Sequence, residues 1–235
     1  MYVDWSGSGV SNYASPGHGP NIWEYWFEQI FPEAMTCEPE DFVDLITTHK
    51  YHYSFLPFGA LNLPVGSVNA AKRTISESIK PKQSLIDSVN LFYNSHLSGH
   101  RAIGAHVRGT DQWSAHGRNH PDGLPIERYF AAIDAKLNEF DMVFLATDSQ
   151  KISERFSDKY GDRVVMQNSP RSNNGRGLHE GGFDGFAIGT GVLTDVLLLA
   201  RCEYALLCSS NVSLAARCFG EFAYTYIDYD FHYVT

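Results

Sequence analysis

Ile103-Gly-Ala-His-Val-Arg108-Gly-Thr-Asp111 is the stretch on which the fold turns. Its apolar run, Ala102 to Val107, contains one His and leads into an Arg, and both groups are costly to bury without partners. Gly109-Thr110-Asp111 is turn chemistry, so Arg108 is expected at the carboxyl end of a short buried strand. In an open parallel sheet that end is where ligands bind. A planar, permanently charged fork there suits bidentate phosphate recognition. An ion pair with a neighbouring carboxylate is the other use such an Arg has.

The sequence downstream keeps the same rhythm. Apolar runs at Ala102–Val107, Met142–Ala146, Arg163–Met166, Tyr204–Cys208 and Tyr224–Ile227 read as strands. Helical stretches at Pro125–Asn138, Gln150–Tyr160, Phe186–Ala200 and Ser210–Phe219 lie between them. This alternation predicts right-handed βαβ units and a parallel sheet covered on both faces, a Rossmann-like α/β domain over 99–235.

Residues 1–98 read as a smaller amino-terminal companion. A short strand is expected at Tyr2–Trp5, followed by a Gly/Ser/Pro-rich loop from Ser6 to Pro20. An aromatic helix over Asn21–Phe31 has Trp23, Trp26, Phe27 and Ile30 on one face, with Asn21 as N-cap and Pro32 as stop. A short helix is read near Pro39 to Thr47, and loops follow around Pro57, Gly59 and Pro64. Pro81–Leu97 is an amphipathic helix with Pro81 near its first position.

Composition excludes several classes. Lys+Arg 18 against Asp+Glu 27 leaves a net charge of −9, which argues against nucleic-acid or anionic-membrane partners. A phosphate ligand must therefore be held by a few placed groups. The 4 cysteines form no C-x-x-C pair, and Cys202, Cys208 and Cys218 fall in apolar segments, as buried thiols of a reducing compartment do. The start lacks the basic and apolar regions of a signal peptide, so a cytoplasmic home is expected. The longest apolar stretch, Val192 to Cys208, is broken by Asp195, Arg201 and Glu203, against a membrane span. His116 and His120 are four apart in a loop-like setting, and no metal site is expected.

Several polar groups are expected on the same sheet edge. Asp148 ends the second strand, as a helix cap, a ligand group or both. Ser209 and Ser210 end the fourth strand and open a helix, where they serve as an anion seat or as plain caps. Asp195 lies inside the apolar helix Gly191-Val-Leu-Thr-Asp-Val-Leu-Leu-Leu, where a carboxylate must be paired or face a cleft. A carboxylate matches the paired N1–H and N2–H2 donors of guanine, an edge that adenine and uracil lack. Arg201, six positions along the helix, is poorly spaced to pair with it. Gly189-Thr-Gly191 follows a loop rather than a strand and is not a dinucleotide fingerprint.

Together these motifs resemble the NodZ-like and α-1,6-fucosyltransferases and, more broadly, the protein O-fucosyltransferases. The likeness runs from about Lys80 to Phe222 through Ile-Gly-x-His-Val-Arg108, Pro125-Ile-Glu-Arg-Tyr129, Leu-Ala-Thr-Asp148, Gly177-Leu-His179, Gly191-Val-Leu-Thr-Asp195 and Cys-Ser209-Ser210-Asn-Val. The resemblance implies a GT-B-like enzyme that moves L-fucose from GDP-β-L-fucose to a glycan or other hydroxyl acceptor, with inversion and without a metal or other cofactor. It implies that Arg108 holds the β-phosphate, that His106 and Asp195 read guanine, and that Ser209 and Ser210 help with the phosphates. Two departures stand out. The second Arg frequent after the essential one is here Gly109, and the Lys and Glu that assist acceptor deprotonation are matched by Gln112 and His116. The general base is then His116 or Asp111. Another nucleotide-sugar donor on the same fold, or a non-catalytic nucleotide-sugar or glycan-binding module, are the alternative readings.

Overall fold

Strand β1, Ala102–Val107, is buried along its whole length, and its side chains divide between two cores by simple alternation. Ile103, Ala105 and Val107 point to one side with Val143 and Leu145 of β2 (Met142–Thr147), whereas Phe144 and Ala146 point to the other. The computed structural model describes residues 3, 5, 6, 12–29, 65–110 and 126–228.

The helices along this part of the chain are α1 (Val65–Ser78), α2 (Gln83–His96), α3 (Ile126–Asp134), α4 (Gln150–Tyr160), α5 (Gly185–Leu199) and α6 (Asn211–Phe219). With β3 (Val164–Val165), β4 (Tyr204–Leu207) and β5 (Ala223–Tyr226), β1 and β2 form a sheet in the order β3-β2-β1-β4-β5. Every pairing is parallel. β1 runs beside β2 from Ala102↔Met142 to Val107↔Thr147 and beside β4 from Ile103↔Tyr204 to Ala105↔Leu206. The chain leaves β1 toward β2 on one side and returns to β4 on the other, so the carboxyl ends of β1 and β4 flank the topological switch point.

Tyr129 and Ile133 of α3 and Phe156 of α4 close one face of the sheet. The other face is closed by Leu85 and Val89 of α2, Leu198 and Leu199 of α5, and the aromatic cluster Ile22, Trp23, Tyr25, Trp26 and Phe27. The α/β, Rossmann-like expectation with helices on both faces holds. Residues 22–27 share one buried core with the sheet and α5.

Several local expectations are corrected. The aromatic stretch is a single 3-10 turn, Ile22–Tyr25, capped by Asn21 as expected. It stops early because the chain pairs instead with the segment before α2. Lys82 N–H donates to the Trp26 carbonyl and Glu28 N–H to the Lys80 carbonyl, at 2.7 and 2.8 Å. Pro81 faces Phe27 in that bridge, and α2 begins two residues later. Val3 and Trp5 are not in a strand. Val3 is bonded to the Gln29 side chain and Trp5 N–H to Asn21 Oδ1, so side-chain amides take the place of a sheet partner. α1 was not anticipated. The helix expected near Pro39 to Thr47 lies outside the described residues.

Gly189-Thr-Gly191 is explained by packing. A Cβ at Gly189 would collide with the Trp26 indole, whose Nε1 donates to Thr190 Oγ1 at 2.9 Å. A Cβ at Gly191 would lie 2.9 Å from the Ser169 side chain. These glycines let the amino-terminal aromatics and the loop after β3 approach α5 closely.

Candidate active site at the switch point

A cleft of about 330 Å³ opens at the carboxyl ends of β1, β2 and β4. His106, Arg108, Asp148 and Asp195 all line it, together with Tyr13, Ser169, His179 and Asn211. Four of the residues singled out from sequence are thus brought together from three different elements.

Arg108 follows β1 directly, in a loop held by Asp148. Asp148, at the end of β2, accepts the Gly109 N–H at 2.7 Å through Oδ1 and the Thr110 hydroxyl at 2.6 Å through Oδ2. Arg108 Nε stands 4.0 Å from the same Oδ2, the outer limit of an ion pair. The Arg108 side chain is 34% exposed and lines the cleft. Asp148 therefore shapes the loop that carries the cation. Helix capping, the other role considered for Asp148, belongs to Ser149, whose hydroxyl accepts the Ile152 N–H. The absent second Arg also has a cause. A Cβ at Gly109 would lie 2.6 Å from Ser149 Cβ and collide with Ile152 of α4.

His106 is almost fully buried, with Nδ1 2.7 Å from Ser213 Oγ in the first turn of α6 and 3.5 Å from Cys208 Sγ. Burial and the neighbouring Arg108 guanidinium hold its pKa down at about 3, so the ring is neutral in the physiological range. A neutral ring is a poor proton shuttle at neutral pH but can give or take a hydrogen bond, and His106 lines the cleft.

Asp195 is not paired with Arg201, whose guanidinium reaches Asn90 Oδ1 at 2.8 Å and lies over the Tyr93 ring. Its partner is Gln167, whose amide donates to Asp195 Oδ1 at 2.8 Å and also to the Gly191 carbonyl. Burial pushes the Asp195 carboxyl up to about 7, against the pull of the Gln167 hydrogen bond and of Arg171 nearby. A carboxylate that lines the cleft and has one oxygen held by Gln167 is a matched acceptor for adjacent N–H donors.

Ser209 and Ser210 stand at the start of α6. The Ser210 hydroxyl accepts the Val212 N–H at 3.1 Å as an N-cap, and Ser209 N–H donates to Asp228 Oδ2 at 2.7 Å. Asn211 and Val212, which follow directly, and Ala215 one turn on are the α6 residues that line the cleft. Asp111 and His116 lie outside the described residues.

Sequence reasoning missed Tyr13, Gln167 and Asp228. Tyr13 rests edge-on against His179 at 5.2 Å, within the Ser6–Pro20 loop, and faces the cleft. Burial raises its pKa. Gln167 and Asp228 act across 28 and 19 residues, and no local pattern signals such pairings.

The sequence profile of the family described as nodulation protein Z (NodZ) matches residues 65–234. The chain belongs to the NodZ family. Nodulation protein Z of Sinorhizobium fredii (strain NBRC 101917 / NGR234) is 26% identical over 148 residues, covering 57% of this chain and 43% of that protein. That of Bradyrhizobium diazoefficiens is 29% identical over 147 residues, covering 57% and 38%. The chain thus spans about two fifths of the length of the curated NodZ relatives it matches. The crystal structure of Se-Met fucosyltransferase NodZ from Bradyrhizobium superposes with a TM-score of 0.54 at 19% identity, covering 93% of this chain and 80% of that one. That likeness is one of fold, in keeping with the GT-B-like expectation. Among the described residues, no helix is long and apolar enough to cross a membrane.

Proposed function

We propose that this NodZ-family chain is a fucosyltransferase that binds GDP-β-L-fucose in the switch-point cleft and transfers L-fucose to a hydroxyl of a glycan acceptor. The observation that carries this reading is that a partly exposed arginine and a partly buried carboxylate line one cleft at the sheet's switch point. Arg108 holds the leaving diphosphate, and a fixed cation there stabilises negative charge that grows as the glycosidic bond breaks. Asp195, steadied by Gln167, accepts from the guanine edge. His106 contributes a neutral hydrogen bond, and the amino end of α6, with Ser209 and Ser210 setting its first turn, lies beside the phosphates.

Transfer proceeds with inversion and without a metal, the acceptor proton passing to His116 or Asp111. Residues 1–98 supply the acceptor side, with Tyr13 at the rim of the donor cleft. The three free, buried cysteines among the described residues support a cytoplasmic home.

Thermal unfolding with GDP, UDP and ADP, followed by fucose transfer from GDP-fucose to offered glycans, tests the reading. GDP alone raises the midpoint, by the mass-action relation between ligand and fold. Equal shifts for the three nucleotides would remove the guanine assignment. Stabilisation by GDP without transfer or donor hydrolysis would leave a binding module in place of an enzyme.

A further inference from the structure

Helix α6 has two ends, and each meets a pocket. Its first turn lines the donor cleft, whereas its last turn carries Arg217 into a second pocket of about 180 Å³. Asn69 and Lys72 of α1, Glu221, Phe222 and Tyr224 complete that wall. No residue lines both pockets.

Arg217 is an unusual group to find there, since it is only 5% exposed. Its Nη1 reaches the Tyr226 hydroxyl at 3.4 Å, and its guanidinium lies 4.5 Å above the Tyr224 ring and 5.9 Å from that of Tyr226. Its Nε is buried with no hydrogen-bond acceptor. No carboxylate among the described residues pairs with it. Ring faces attract a cation but return much less than the loss of water costs a buried one, so the site is short of an anion.

The charges set which anion. Lys72 is bridged by Glu221, whose side chain is 86% exposed, so Lys72, Arg217 and Glu221 together carry one net positive charge. A monoanion neutralises the site and a phosphate dianion overshoots it. A carboxylate also matches the guanidinium fork in plane and spacing. Tyr224, 40% exposed, offers an apolar wall on which a saturated ring can lie. We propose that this pocket binds a small carboxylate ligand, such as a hexuronic acid, through Arg217 and Lys72 with Tyr224 as its wall. Against a chain of net charge −9, such binding must come from these placed groups and not from the overall field.

The test is a calorimetric titration of the full chain with sodium glucuronate at constant ionic strength, with glucose and inorganic phosphate as parallel titrants, followed alongside by the Arg217 Nε–Hε resonance. The expected result is saturable glucuronate binding that moves this resonance, no binding of glucose, and weaker binding of phosphate. Arg217→Gln and Lys72→Gln should each weaken glucuronate by at least ~10-fold, as loss of a charge-assisted partner does. Arg217 is buried and its replacement can impair folding, so Lys72→Gln, at a surface pair, decides if that variant does not fold. Absence of saturation, an unmoved Nε–Hε resonance, phosphate binding tighter than glucuronate, or an unchanged affinity in Lys72→Gln would each overturn the proposal.

Discussion

Arg108 and Asp148 stand 4.0 Å apart, yet the carboxylate is engaged elsewhere, by the Gly109 amide and the Thr110 hydroxyl. Asp148 thereby fixes the turn that carries Arg108, and Arg108 lines the cleft.

Replacement of Arg108 is the most damaging change expected. Both Arg108→Ala and Arg108→Lys should lower kcat/KM for fucose transfer by at least ~100-fold, the cost of losing one placed transition-state donor. Lys is no rescue because a point charge cannot reproduce the fork. The unfolding midpoint should stay near wild type, and a Lys variant that retains most activity would contradict the assignment.

Asp148→Ala removes two hydrogen bonds from the turn while leaving the cation in the chain. A loss of about 1–3 kcal/mol of stability in urea titration is expected. Transfer should fall less than in the Arg108 variants, since the cation is misplaced and not removed.

Gly109→Ala tests the space below the turn. The new methyl would meet Ser149 at 2.6 Å and collide with Ile152, so a destabilisation of about 1–3 kcal/mol is expected from overpacking. An unchanged unfolding midpoint would show that the turn sits farther from α4 than described.

Asp195 links pH to both binding and stability. Its carboxyl titrates at about 7 in the fold. An unfolded aspartate titrates near ~4. Between these values the folded state keeps a proton that the unfolded chain has lost, so this group's favourable contribution declines as pH rises from ~4 to ~7. Asp195→Asn should remove that slope. A guanine edge needs the ionised form, so GDP should bind about tenfold more tightly near ~pH 8 than near ~pH 6, with proton release on binding. Flat pH dependence by calorimetry would exclude Asp195 from the base contact.

Much of the fold was legible because hydrophobic period and turn chemistry agree over the carboxyl half. Ala102–Val107 and Gln150–Tyr160 have the predicted limits, and the other strands and helices between Met142 and Tyr226 differ only at their ends. α1 was hidden because its sequence, VGSVNAAKRTISES, has few strongly apolar residues to mark a face. The aromatic stretch misled in the opposite way. Its helical spacing is real, but backbone pairing of Trp26 and Glu28 with the residues before α2 overrides it after one turn. At the site, Arg108, His106 and Asp195 were visible as polar groups in apolar surroundings. The groups that hold His106 and Asp195 were not, because Ser213 and Gln167 meet their partners only once the strands are placed.

The most direct test is a crystal structure of the chain with GDP bound. It should show the Arg108 guanidinium about 3 Å from β-phosphate oxygens. Asp195, still held by Gln167, should accept from guanine N1–H and N2–H2. Arg108 drawn onto Asp148 with no phosphorus near it, or guanine lying away from Asp195, would contradict the account.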